Sequence, residues 1–238
     1  NDTRTFEADP AKGYVAVWTL GGESYVGNKF TMKMGSKDVT LHIEFMSEDD
    51  YRLTRLPFRD VKERDWYYDD VVFVYRNGLM DGISSTKFGG TMNTTRGQIV
   101  TILWRLTGEP RAARKNQFND VSSRQYYYDA ISWAAEAGIV DGFDARTFKP
   151  DQNVTREQLA AILYRYAAYM NLSTRGMSNL TRFSDYYEIG AWARDAMGWA
   201  NYHGLINGVD YYHIDPKGYA TRAQIAAILH RFALEFSV

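Results

Sequence analysis

The chain is 238 residues long and 45% hydrophobic, enough for one or two domains with a real core, and its net charge of −1 excludes nucleic-acid binding through bulk positive charge. It has no cysteine, which excludes disulfides, thiolate metal sites and a cysteine nucleophile, and no apolar run reaches the length of a membrane span. The chain begins at Asn1 without Met or a signal peptide, so a fragment or processed product is expected. Tyrosine is abundant; core packing accounts for most of it, with carbohydrate stacking as the alternative.

The first fifty residues carry β patterning. Tyr14 to Leu20 and Phe30 to Met34 read as strands, with Gly21-Gly22 in a turn between them. Val39, Leu41, Ile43 and Phe45 alternate strictly, the signal of a half-buried strand. Residues 1–50 resemble the end of a bacterial surface β-repeat through Gly13-Tyr14, Trp18, Thr31-Met32-Lys33-Met34 and Asp38-Val39-Thr40-Leu41. The resemblance implies a stalk. Three strands are thin for a domain, so a truncated piece, or one packed on the rest of the chain, is expected. Ser47 to Leu56 is the junction.

From Pro57 the chain repeats itself three times. Phe58-Arg59-Asp60-Val61 recurs as Phe118-Asn119-Asp120-Val121 and Phe183-Ser184-Asp185-Tyr186. Trp66, Tyr126 and Trp192 correspond, as do Gly78, Gly138 and Gly204, and then Gly82, Gly142 and Gly208. The spacings are 60 and then 66 residues, and they persist to the closing Arg105, Arg165 and Arg231. The units span 57–110, 117–171 and 182–238, joined by polar, basic connections. Each reads as helix, loop, helix. The first helix starts near Tyr67, Tyr127 or Ala193 and stops at the first glycine. The turn pairs Asp81-Gly82, Asp141-Gly142 and Asn207-Gly208 come next. The second helix carries apolar residues at i, i+3, i+4 and i+7: Ile99, Ile102, Leu103 and Leu106 in the first unit. Three equivalent stripes most simply meet about a pseudo-threefold axis, giving a mainly α fold with a small β N-terminal piece.

The second helix opens each time on a Thr-Arg-x-Gln box: Thr95-Arg96-Gly97-Gln98, Thr155-Arg156-Glu157-Gln158 and Thr221-Arg222-Ala223-Gln224. Thr-x-x-Gln is a capping box. Arg is the wrong charge there, because the helix start carries a partial positive charge and a cation loses about 0.3–1 kcal/mol. An anion held by the arginine and by free N–H groups of the helix start would offset this; a buried salt bridge between units is the other explanation. Gly97 weakens its helix start by up to about 1 kcal/mol, and Glu157 either orients Arg156 or competes for it. The Asp of Phe-x-Asp caps the first helix, holds a turn, or touches ligand.

These motifs resemble the S-layer homology domain, with its Phe-x-Asp-Val, Gly turn, Phe-x-Pro and Thr-Arg-Ala-Glu/Gln pattern; the match runs from about Pro57 to Phe236. The resemblance implies a three-pronged spindle around a central three-helix bundle, with ligand grooves between prongs. It implies non-covalent tethering of an exported protein to secondary cell wall polysaccharide, an acidic glycan often ending in a pyruvylated sugar. Arg96, Arg156 and Arg222 are then the ligand arginines. Gln98, Gln158, Gln224, Trp66, Tyr126, Trp192, Gly82, Gly142, Gly208, Asp81 and Asp141 complete the glycan-binding set. The location is the extracellular bacterial wall or surface layer, the state a monomer.

No phosphate loop, dinucleotide fingerprint or nucleophile elbow is present. His42, His203, His213 and His230 form no ligand cluster. The chain is therefore expected not to be an enzyme and to need no cofactor or metal, to bind no nucleic acid and to insert in no membrane. The alternatives are a structural module that builds a surface lattice through protein contacts, and a wall-glycan hydrolase. The sequence leaves open the sugar modification, the groove used and the completeness of residues 1–50.

Overall fold

The structure, a computed structural model, describes residues 3–20, 23–35, 38–47, 51 and 56–237. The chain forms two compact units, Asn1–Pro57 and Phe58–Val238.

The first unit has five strands among the described residues: β1 (Thr3–Glu7), β2 (Tyr14–Leu20), β3 (Glu23–Val26), β4 (Lys29–Lys33) and β5 (Leu41–Ser47). All pairing is antiparallel, β1 with β4 and, in a second sheet, β3-β2-β5. Trp18 on the central strand stacks on Phe30 of the other sheet at 5.9 Å, and its indole N–H donates to Gly27 O at 2.7 Å. Ala16, Trp18 and Phe30 are the buried centre, flanked by Phe6, Met32 and Ile43. Two strands more are present than the pattern showed, because β1 and β3 are short and lack apolar alternation. The expected alternation over Val39–Phe45 holds only in part: Val39 lies outside β5, and Val39 and Phe45 are exposed. The Gly21-Gly22 turn and most of the Ser47–Leu56 junction lie outside the described residues.

The second unit is helical: α1 (Tyr68–Arg76), α2 (Arg96–Leu106), α3 (Tyr128–Glu136), α4 (Arg156–Tyr169), α5 (Arg194–Tyr202) and α6 (Arg222–Phe236). The odd-numbered helices end as expected. Gly78, Gly138 and Gly204 take left-handed φ of 66°, 71° and 67°. At Gly78, its N–H and that of Leu79 close back on Tyr75 O and Val74 O, a Schellman stop. The even-numbered helices start on complete capping boxes at Thr95, Thr155 and Thr221. Their stripes are buried, including Ile99, Leu103, Leu159, Leu163, Ile225 and Leu229.

The three repeats interlock in a cycle. α3 packs on α2, α5 on α4, and α1 on α6, so each first helix rests on the second helix of the preceding repeat, and the third repeat precedes the first. A ring of backbone hydrogen bonds closes the capping-box end. Thr94 N–H donates to Ala220 O (2.9 Å), Val154 N–H to Thr94 O (2.9 Å) and Ala220 N–H to Val154 O (3.1 Å). At the other end the Tyr166 ring meets Phe232 at 5.7 Å while its hydroxyl bonds Thr107 Oγ1 at 3.1 Å, joining α4, α6 and the end of α2.

Candidate functional site: grooves between the repeats

The site begins with an aspartate that fixes a loop. Asp60 accepts from the N–H groups of Phe88 and Gly89 at 2.8 Å each. Asp120 accepts from Phe148 (2.9 Å) and Lys149 (2.7 Å), and Asp185 from Ile214 (2.9 Å) and Asp215 (2.7 Å). Each therefore holds a turn, one 28 to 30 residues further along the chain. Burial acts to raise the Asp60 carboxyl, but the Gly89 and Phe88 N–H groups and Lys87 outweigh it and hold the group below its usual value.

The clamped loop presents its carbonyls to the arginine of the preceding repeat. Arg96 donates from Nε to Phe148 O at 2.9 Å and from Nη2 to Asp141 O at 3.2 Å. Arg156 donates likewise to Ile214 O (2.9 Å) and Asn207 O, and Arg222 to Phe88 O (2.9 Å) and Asp81 O. The guanidinium of Arg96 also lies 4.5 Å over the Phe148 ring and that of Arg222 lies 4.7 Å over Phe88. All three arginines are only 6–7% exposed. Burial lowers their pKa, with Asp120 and Asp141 acting against it at Arg96, Asp215 and Asp185 at Arg156, and Asp81 at Arg222.

Two expectations are corrected here. The arginine is no exposed cation at a helix start, and its partners are carbonyl oxygens rather than a salt-bridged carboxylate. Nor are the first N–H groups open to an anion. Those of Arg96 and Gly97 donate to Gln152 O and Pro150 O at 2.9 and 2.8 Å. Those of Arg156 and Glu157 donate to Gly218 O and Pro216 O, and those of Arg222 and Ala223 to Met92 O and Gly90 O. The neighbouring repeat offsets the cost of a cation at the helix start. Glu157 neither orients nor competes for Arg156: it is buried, accepting from Gly190 N–H at 2.9 Å and from Lys217 Nζ at 2.5 Å.

Two grooves open beside these arginines. One, of about 380 Å³, is lined by Arg96 of the first repeat, Asp141, Gly142, Gln158 and Arg165 of the second, and Trp192 of the third. The other, of about 190 Å³, is lined by Arg222, Asp81, Gly82, Gln98, Arg105 and Tyr126. One wall in each is a helical stripe at i, i+3, i+4 and i+7: Gln158, Ala161, Ile162, Arg165 and Gln98, Thr101, Ile102, Arg105. Both grooves thus draw on all three repeats. The residues at the corresponding repeat positions of the third junction are Arg156, Asn207, Gly208, Gln224, Arg231 and Trp66, of which Arg156 meets Asn207 O.

The glutamines accept their own cap N–H through Oε1 at 3.0, 3.2 and 3.0 Å. Trp66, Tyr126 and Trp192 are 63%, 59% and 58% exposed, too open for core packing. The tyrosine is close enough to Arg105 and Arg222 to feel them: burial raises its phenol most, and the two cations pull it down. Gly82, Gly142 and Gly208 owe their identity to packing. A Cβ there would stand 2.4, 2.6 and 2.8 Å from the ring of Phe58, Phe118 or Phe183, so protein fills the space of the absent side chain. Asp81 and Asp141 offer a carbonyl to the buried arginine, while their carboxylates pair with Arg105 at 3.2 Å and Arg165 at 2.7 Å. These closing arginines are visible in the sequence as repeating residues, but no role attaches to them there. The signal lies in their position seven residues after the capping glutamine, on the same helix face.

Among the described residues no group of His, Asp or Glu could hold a metal, and no helix is long and apolar enough to cross a membrane.

The S-layer homology domain profile matches residues 57–100, 117–160 and 182–226, more than half of the chain. This chain belongs to the S-layer homology family. Membership makes it an anchoring module of the bacterial cell wall or surface. It is 31% identical to the amylopullulanase of Thermoanaerobacterium thermosulfurigenes over 93% of this chain and 12% of that protein. It is 27% identical to the surface-layer 125 kDa protein of Lysinibacillus sphaericus, over 65% of this chain and 13% of that one. With the cellulosome-anchoring protein of Acetivibrio thermocellus it shares 26% identity over 64% of this chain and 35% of that protein. The chain spans 12 to 35% of the length of these relatives, and its likeness to the amylopullulanase is confined to that 12%.

Proposed function

We propose that the three S-layer homology repeats form a monomeric three-pronged spindle. It anchors an exported protein non-covalently to the bacterial cell wall by binding secondary cell wall polysaccharide through a pyruvylated terminal sugar. The observation that carries this reading is the composition of the grooves: two arginines, an amide, a half-open aromatic ring and a turn, contributed by three repeats and found at two of the three junctions. A guanidinium has five N–H donors. Two of those on each buried arginine are engaged by carbonyls, leaving three for a carboxylate such as that of a pyruvate ketal. The exposed face of Trp192 or Tyr126 suits the apolar side of a sugar ring. Residues 1–57 fit a stalk between this anchor and its cargo. Calorimetric titration with the pyruvylated and unpyruvylated terminal disaccharide tests the reading: strong preference for the charged sugar, without turnover, is expected. Equal affinity for both, or assembly of the protein without glycan, would favour a lattice module instead.

A further inference from the structure

The three junctions share the buried arginine and its two carbonyl partners but differ at two points. At two of them the closing arginine is occupied by the carboxylate of the turn, Arg105 by Asp81 at 3.2 Å and Arg165 by Asp141 at 2.7 Å. At the third the turn residue is Asn207, whose amide donates to Gly204 O at 3.3 Å, and Arg231 has no carboxylate partner among the described residues. Arg231 is exposed. A second difference acts in the same direction. Arg96 and Arg222 lie over the rings of Phe148 and Phe88, but Ile214 stands at that place in the third repeat, so Arg156 lacks the π face that offsets part of a cation's charge. The acids nearest Arg156 are engaged elsewhere: Asp185 accepts from Ile214 and Asp215 N–H, and Asp215 accepts from Gly218 N–H at 3.0 Å.

We infer that the third junction is the groove that takes the anionic group of the glycan most tightly, and that Arg231 is its specificity-determining contact, freed by Asn207. In the other two grooves a ligand carboxylate must displace the Asp from its arginine; here it meets an arginine with an open fork. The inference rests on the glycan reading above and adds to it which groove is used and by which residue.

The test uses the whole chain and two probes, a methyl N-acetylhexosaminide carrying a 4,6-linked pyruvate ketal and the same glycoside without the ketal, in calorimetric titrations. Asn207→Asp installs the competing carboxylate, and Arg231→Gln removes the contact. Both positions are exposed, and thermal melting checks that the fold is retained. Each substitution is expected to weaken the charged probe about tenfold or more, roughly 1.4 kcal/mol, and to leave the neutral probe unchanged. Asp81→Asn together with Asp141→Asn is expected to raise the number of tight sites. Wild-type affinity in Asn207→Asp and Arg231→Gln, with loss on Arg105→Gln or Arg165→Gln instead, would overturn the groove assignment while leaving the glycan reading intact. Failure of the glycan reading gives a different result: the wild-type chain itself would fail to distinguish the two probes.

Discussion

Arg96, Arg156 and Arg222 are structural before they are anything else. Each is buried, and each satisfies two carbonyls of another repeat. Removing one leaves those oxygens without their charged donor, and bonds to charged groups contribute about 1.5–3 kcal/mol each. Arg156→Ala is therefore expected to lower the unfolding free energy by about 2–4 kcal/mol in urea titration; a variant as stable as the wild type would refute the bracing role. Arg165→Gln and Tyr126→Ala, at the more open groove wall, report on binding with far less effect on the fold. A second residue stands out at the ring of backbone bonds. Thr94 Oγ1 is buried without a partner among the described residues, where Val154 and Ala220 occupy the equivalent places. A buried unpaired hydroxyl costs about 1–3 kcal/mol, so Thr94→Val should raise the melting temperature. Asp60 adds a pH dependence. Its folded pKa lies below 3.8, so its contribution is complete above the unfolded-state value and is lost as pH falls through the lower, folded value. Asp60→Asn should flatten the acid limb of the stability curve there, and an unchanged limb would count against the clamp.

At the scale of elements, helix boundaries were legible because their signals are local. The capping boxes at Thr95, Thr155 and Thr221 and the stops at Gly78, Gly138 and Gly204 need only residues within a turn of the boundary. The roles of the arginines and of Glu157 were not legible, because their partners, such as Phe148, Ile214 and Lys217, lie more than 50 residues away on another repeat. Gly97 shows the same limit. By propensity it weakens α2, yet a Cβ there would stand 3.1 Å from Pro150 O and from the Tyr127 ring. Gly97→Ala should accordingly fail to deliver the gain of about 1 kcal/mol that an exposed helix position would give. A melting temperature raised by several degrees would show that the interface yields more easily than the geometry indicates. The turn residues of the grooves were legible as a set, but what separates Asn207 from Asp81 and Asp141 emerges only once those two carboxylates are seen on their closing arginines.

Across the whole second unit, stability is shared around the cycle. α6 supports α1, and Arg222 holds the first repeat's loop, so the third repeat cannot be removed without exposing the first. Truncation before Thr181 should leave an unfolded or aggregating fragment, and a soluble fragment that melts cooperatively would contradict the cyclic packing. The closing seam between the third and first repeats differs from the other two in having no peptide connection across it. Its ring contact, His230 stacked on Phe73 at 4.4 Å, corresponds to Tyr164 on Trp199 at the preceding seam, but here His230 Nδ1 also meets Asp70 at 2.9 Å. This gives the molecule a mechanical polarity. If the grooves hold the wall as proposed, a force pulling the chain at Phe58 acts on the first repeat, whose α1 is held by α6 across that seam. That seam is one non-covalent joint through which such a load passes, and weakening it by His230→Ala is expected to lower the rupture force of the anchor.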